Sequence, residues 1–193
     1  MRHSWSRRAT LVAASIVCFA FACGQPFGLL APSADNVVDT LTLYALTDTP
    51  VRTPSGLVIS NVGRAEAVRT DSTSSFDFAF DIDSNDRVLL FPTGALHLGQ
   101  SSGAQLSTLP FDSIKIAPNG NYQLDSAIVL DADGVAVLHS RPTGCGVLLT
   151  ASYFFYAKIH VIEIDPTLRW IKIEILLDTN CGYRGLEPGL PRH

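Results

Sequence analysis

One stretch limits what this chain can become. Between Phe154 and Asp178 lie two arms, Phe155-Tyr156-Ala157-Lys158-Ile159-His160-Val161 and Trp170-Ile171-Lys172-Ile173-Glu174-Ile175-Leu176-Leu177. Apolar and polar residues alternate in both, and a period of two belongs to strands with one buried face. Phe155, Ala157, Ile159 and Val161 are expected to point inward from the first arm, and Ile171, Ile173, Ile175 and Leu177 from the second. With Pro166-Thr167-Leu168 as a three-residue loop, Asp165 faces Arg169, Val161 faces Ile173, Ile159 faces Ile175, and His160 faces Glu174. A slip of one residue would turn a whole apolar set to the wrong side.

The rest of the chain speaks the same language. Thr40 to Leu46 alternates until Pro50 and Pro54-Ser55-Gly56 interrupt, and Leu57 to Asn61 reads as a second short strand. In Phe76-Asp77-Phe78-Ala79-Phe80-Asp81-Ile82 the aromatic residues and Ile82 form a core face, with Asp77, Ala79 and Asp81 on a solvated one. Arg87 to Phe91 returns, a Gly/Ser-rich loop spans Gly99 to Gly103, and Pro118-Asn119-Gly120-Asn121 is a turn. Ala127 to Leu130 and Val135 to His139 read as a further hairpin. Three turns share an apolar residue, then Asp, then three loop residues, starting at Asp83, Asp131 and Asp165. Asp at the first turn position accepts local N–H groups, and the third loop residue (Asp86, Gly134, Leu168) is expected to be left-handed. No segment after residue 36 sustains a helical period. The expected fold is all-β, an antiparallel β-sandwich or partly open barrel of about eight to ten strands built from hairpins.

The N-terminus is different. Arg2, His3, Arg7 and Arg8 precede an apolar run from Ala9 to Ala22, the pattern of an export signal. That run is short of the roughly 20 residues needed to span a bilayer. It ends in Ala20-Phe21-Ala22-Cys23, which resembles the lipobox of bacterial lipoprotein signal peptides. The resemblance implies diacylglycerol on the Cys23 thiol and cleavage before it, hence membrane attachment through that lipid. Ser6-Arg7-Arg8-Ala9-Thr10-Leu11 also resembles part of a twin-arginine export signal. On this reading residues 1–22 are the signal, 23–36 a Pro/Gly-containing tether, and 37–193 one domain. The expected location is the bacterial cell envelope, with the outer membrane favoured by Gly24, or else the periplasm or medium.

Export also shapes the cysteine and charge arithmetic. With Cys18 discarded and Cys23 lipidated, Cys145 and Cys181 remain, and an oxidising compartment favours a disulfide between them near the C-terminal end. Removing Arg2, Arg7 and Arg8 from the 14 basic residues leaves 11 against 18 acidic ones, a charge of about −7. No basic cluster exists to neutralise phosphates, which argues against nucleic-acid binding.

Few residues suggest chemistry. Asp81-x-Asp83-x-Asn85 opens like a calcium loop, but Asp86 stands where the glycine is needed and no glutamate follows, so a β-turn is the simpler reading and no metal is expected. Gly99-Gln100-Ser101-Ser102-Gly103 matches a nucleophile elbow in letters, with Asp131 and His139 later in the chain, yet lacks the helix and α/β sheet that an elbow requires. His97, His139, His160 and His193 show no metal-ligand spacing, and Tyr44, Trp170 and Tyr183 are candidates for an aromatic patch. The resulting expectation is a non-enzymatic, lipid-anchored envelope domain without cofactor, binding an envelope protein, a glycan or a small ligand, or serving structure. The alternative is an envelope serine hydrolase using Ser101.

Overall fold

The alternating arms do pair. The computed structural model describes residues 29–60, 63–99, 101–144 and 152–191. Its strands are β1 (Val37–Tyr44), β2 (Gly56–Val58), β3 (Glu66–Val68), β4 (Phe78–Ile82), β5 (Val88–Pro92) and β6 (Gly103–Ser107). They continue with β7 (Ile128–Leu130), β8 (Val135–His139), β9 (Thr143–Gly144), β10 (Ser152–Tyr153), β11 (Tyr156–Asp165) and β12 (Trp170–Asp178). Two five-stranded antiparallel sheets result, ordered β1-β12-β11-β8-β6 and β3-β2-β4-β5-β7, with β9 and β10 as a small ribbon. The sheets stack into a sandwich and do not close into a barrel. Phe78, Phe80 and Ile82 of one sheet join Ile159, Val161, Ile173 and Ile175 of the other in a single buried cluster. No α-helix occurs among the described residues, only a 3-10 turn at Phe111–Ser113.

In the long hairpin, Val161 faces Ile173, Ile159 faces Ile175 and His160 faces Glu174, as the alternation requires. At the turn the register departs from expectation: Asp165 faces Trp170, not Arg169. The loop therefore has four residues, and Arg169, not Leu168, takes the left-handed conformation at φ 55°. A bulge between Val161 and Glu163 absorbs the difference. Ile162 is the extra residue and stays 44% exposed, while Val161 before it is buried. Asp165 still organises the turn, accepting the N–H groups of Thr167 (2.9 Å) and Leu168 (2.8 Å).

The Asp83 turn follows expectation, with Asp86 left-handed at φ 60° and Ile82 facing Val88. The Asp131 segment does not. β7 pairs with β5 and β8 with β6 and β11, so residues 131–134 cross from one sheet to the other and form no hairpin. The left-handed residue there is Asp133, not Gly134. β6 starts at Gly103, the last residue of the expected Gly99–Gly103 loop, and continues through residues 104–107, to which no strand was assigned because Gly103-Ala104-Gln105-Leu106-Ser107 carries little apolar contrast.

The outer face of the β1-β12-β11-β8-β6 sheet is covered in part, while Thr40, Thr42 and Lys172 stay exposed. Phe111, Ile114, Ala117 and Leu186 pack over Val135, Val137 and Leu176, with Tyr122 and Tyr156 at the margin. Backbone bonds from Ala117 N–H to Arg184 O and from Leu186 N–H to Lys115 O (both 2.8 Å) tie these two covering segments together.

Candidate functional site

Asp77, expected on a solvated face, is found with no exposed surface and fully engaged in hydrogen bonds. The alternation of β4 places it off the core, but Ile59-Ser60 and the segment after β8 close over it. Its Oδ2 accepts the N–H groups of Ile59 (2.7 Å) and Ser60 (2.8 Å), and its Oδ1 accepts Arg141 N–H (2.9 Å). The Arg141 Nε lies at 3.4 Å from the same Oδ1. Three backbone donors and a guanidinium offset the cost of burying the charge.

Around this carboxylate the two sheets are stitched by hydroxyls. Ser102 Oγ donates to the Asp77 carbonyl and accepts Thr93 N–H (3.1 Å), while Ser102 N–H donates to Thr93 Oγ1 (3.0 Å). Ser140 Oγ donates to Arg141 O (2.7 Å) and accepts Phe155 N–H (3.0 Å). His139 Nδ1 donates to Ser140 O at 2.8 Å, which fixes its tautomer, and its ring lies against Tyr122 (4.6 Å) and Phe154 (4.5 Å). Burial pulls the His139 pKa down, against the smaller opposing effects of the Ser140 carbonyl and Asp77, and the imidazole is held neutral. Gly103 is required here, since any side chain would collide with His139 Nε2.

An open cleft of about 400 Å³ sits above the junction, lined by Ser60, Leu98, Arg141, Pro142 and Thr143. Asp77 positions the Arg141 guanidinium at its wall, with a quarter of the side chain exposed and the Nη groups making no hydrogen bond among the described residues. Such a group can receive a carboxylate or other anionic oxygen.

A second cleft, of about 530 Å³, lies over the outer face and is lined in part by Phe111, Asp112, Asp133, His160 and Glu174. His160 stands between Glu174 (3.5 Å) and Asp133 (3.7 Å). Beside it Lys158 is buried at 2% exposure, its Nζ donating to Phe111 O (2.8 Å) and Ile114 O (3.0 Å) and lying 4.4 Å from the Phe111 ring centre. Burial lowers its pKa, outweighing the pull of Asp112, Glu174 and Glu187. The ammonium thereby pins the end of the 3-10 turn.

The residues singled out from sequence fall as follows. Ser101 packs near Gly94, and no hydrogen bond joins it to a histidine among the described residues; its neighbour Ser102 is the buried, bonded serine. Asp131 precedes β8 and His139 ends it, so that strand separates them. Asp81 holds Thr47 and the Arg169 guanidinium (3.0 Å). Asp83 accepts Arg87 N–H and pairs with the Arg87 guanidinium, which with Asn85 N–H holds its pKa down at about 2. No group of three metal-ligating side chains assembles among the described residues. Tyr44 faces Trp170 across β1 and β12, whereas Tyr183 is buried elsewhere. Cys23 and Cys145 lie outside the described residues, as does the whole signal segment 1–22. Cys181 packs against the main core, and its side chain is engaged. Compared with protein-family models, with curated proteins and with solved structures, the chain matches none.

Proposed function

We propose that this chain is a lipid-anchored cell-envelope β-sandwich with a binding role and no catalytic one, attached to the membrane through Cys23. The supporting observation is how its reactive groups are employed. Asp77, Asp81, Asp83 and Lys158 each bond to neighbouring backbone or to an arginine, whereas Arg141 presents Nη donors, unengaged among the described residues, to an open cleft. The ligand class is an anionic or carbonyl-bearing glycan, peptide or small molecule.

The same reading includes a disulfide between Cys145 and Cys181. Gly182 N–H donates to Phe154 O (3.0 Å), so Cys181 lies beside the open end of the long hairpin, where a bridge would resist fraying. Expression of wild type and Cys23→Ala in a bacterial host tests the anchor. Wild type should fractionate with membranes and carry lipid on Cys23 by mass spectrometry, and the variant should be released or stay unprocessed. An unlipidated wild-type protein would overturn it. Labelling of Ser101 by a fluorophosphonate probe would instead support the hydrolase alternative.

A further inference from the structure

At the end of β12, Asp178 has no exposed surface. Its Oδ1 accepts Asn180 N–H (2.9 Å) and Asn180 Nδ2 (3.1 Å). Its Oδ2 makes no hydrogen bond among the described residues, and neither does the buried Oδ1 of Asn36, although the Asn36 side chain and Gly185 N–H lie near enough to favour the charged carboxylate in part. Turning the Asn36 amide over is no remedy. Its Nδ2 already donates to Gly185 O (2.8 Å) and Glu187 O (3.3 Å), and reversal would set oxygen against two carbonyls. The carboxylate is thus buried with one oxygen unpaired, and protonating Asp178 removes an incompletely compensated charge.

This site is the fastening of a strap. Asn180 Oδ1 accepts Ser33 N–H (2.8 Å) and Ala34 N–H (3.1 Å), and its Nδ2 donates to Ala34 O (2.8 Å). Asn36 and Gly189 exchange both backbone bonds, at 2.8 and 3.0 Å. We propose that a proton on Asp178 is the pin of a pH-sensitive strap, locking residues 33–36 onto the C-terminal segment when it is bound and loosening them when it leaves.

Among the described residues no counter-charge at the site replaces that proton. Across β11 the facing residue is Tyr156, which burial keeps protonated. On the C-terminal segment Arg184 is bonded to Asn119 and Ala117 O, and Glu187 pairs with Lys115 at 3.2 Å. On the N-terminal side Asp35 and Asp39 are the nearest carboxylates in sequence and carry the same sign as an ionised Asp178. Burial raises the Asp178 pKa to about 6, against the N–H groups of Asn180, the Asn36 side chain and Gly185. The strap is therefore fully held well below pH 6 and weakens as pH rises through it. With a released carboxyl near its ordinary value, the opening constant grows about tenfold between pH 5 and pH 8. In the anchored reading the strap would set how much chain lies between Cys23 and the domain, but the device does not depend on that reading.

The test has two readouts on the intact protein. The Asp178 side-chain carboxyl, followed by ¹³C NMR, should titrate near pH 6, and a midpoint near 4 would overturn the proposal. Hydrogen exchange at Ser33, Ala34 and Asn36, corrected for intrinsic rates, should show the tenfold loss of protection from pH 5 to 8, and D178N should abolish that dependence. The same loss in D178N, or a loss in wild type that calcium reverses, would also overturn it. Should D178N fail to fold, the carboxyl titration of the wild type decides alone.

Discussion

The carboxylate of Asp77 and the backbone of Arg141, 64 residues apart, meet at 2.9 Å in the buried end of the sandwich. The bond joins the segment after β8 in one sheet to the approach to β4 in the other, while Oδ2 holds Ile59 and Ser60. Asp77→Ala would leave three backbone donors without their acceptor, so it should lower stability by about 3 kcal/mol or more. Arg141→Ala keeps the backbone bond and loses only the 3.4 Å Nε contact of a partly exposed side chain, for about 1 kcal/mol or less. Urea unfolding of both variants checks the order. Equal losses would mean that the guanidinium, not the backbone, is what Asp77 holds.

The bulge at Ile162 makes a sharper prediction. Removing Ile162 leaves Val161 and Ile164 inward with Glu163 between them, a regular ladder ending in the same four-residue loop. That deletion should preserve the fold and alter stability little, since the lost side chain is 44% exposed. Deleting Lys172 from the opposite arm must instead expel Ile171 or Ile173 from the core. Exposing one such side chain costs roughly 1.5–3 kcal/mol before the cavity is counted. Thermal melts and amide spectra of the two deletions separate these outcomes.

The long hairpin was legible because its period of two is a local property, and burial of Ile159, Ile173 and Ile175 needs only that face to meet another. What covers the second face is not local. Lys158 and His160 alternate outward, and nothing near them in sequence announces that Phe111 and Ile114 will lie over Lys158. Asp77 looked solvated for the same reason: its partners at Ile59, Ser60 and Arg141 come from elsewhere in the chain. The apparent hairpin through Asp131 failed because a turn sequence fixes a local reversal, not which sheet the next strand enters. The bulge escaped notice because Ile162 and Ile164 are both apolar, and alternation alone does not say which of them leaves the core.

The proposed bridge between Cys145 and Cys181 would close a loop of about 37 residues, worth roughly 4 kcal/mol on the chain-entropy model before native strain. Reduction, or Cys145→Ser with Cys181→Ser, should lower the melting temperature by several degrees or more while leaving the sheets formed. Intact mass after alkylation, with and without prior reduction, reads the pairing directly. Two alkylated thiols in the unreduced exported protein would exclude it.

His139 and Asp178 titrate with opposite consequences, and that gives the last prediction. Folded His139 binds its proton less readily than an exposed imidazole, because the ring is buried among Tyr122, Phe154 and Tyr156. The unfolded chain therefore takes up that proton first on acidification. Stability from His139 is intact above about pH 6.5 and is lost as pH falls through that value toward the lowered folded pKa. Asp178 works the other way: its folded pKa of about 6 exceeds the ordinary carboxylate value, so stability rises as pH falls from 6 toward 4. Over that interval the two partly cancel in the wild type. Asp178→Asn should expose the His139 effect as a steeper loss of stability between pH 6.5 and 5. Adding His139→Phe, which keeps the ring contacts but cannot titrate, should flatten the profile again. Denaturant midpoints of wild type, single and double variants across pH 4.5–8 measure it, and a single variant no steeper than wild type would show that His139 does not set the acid limb.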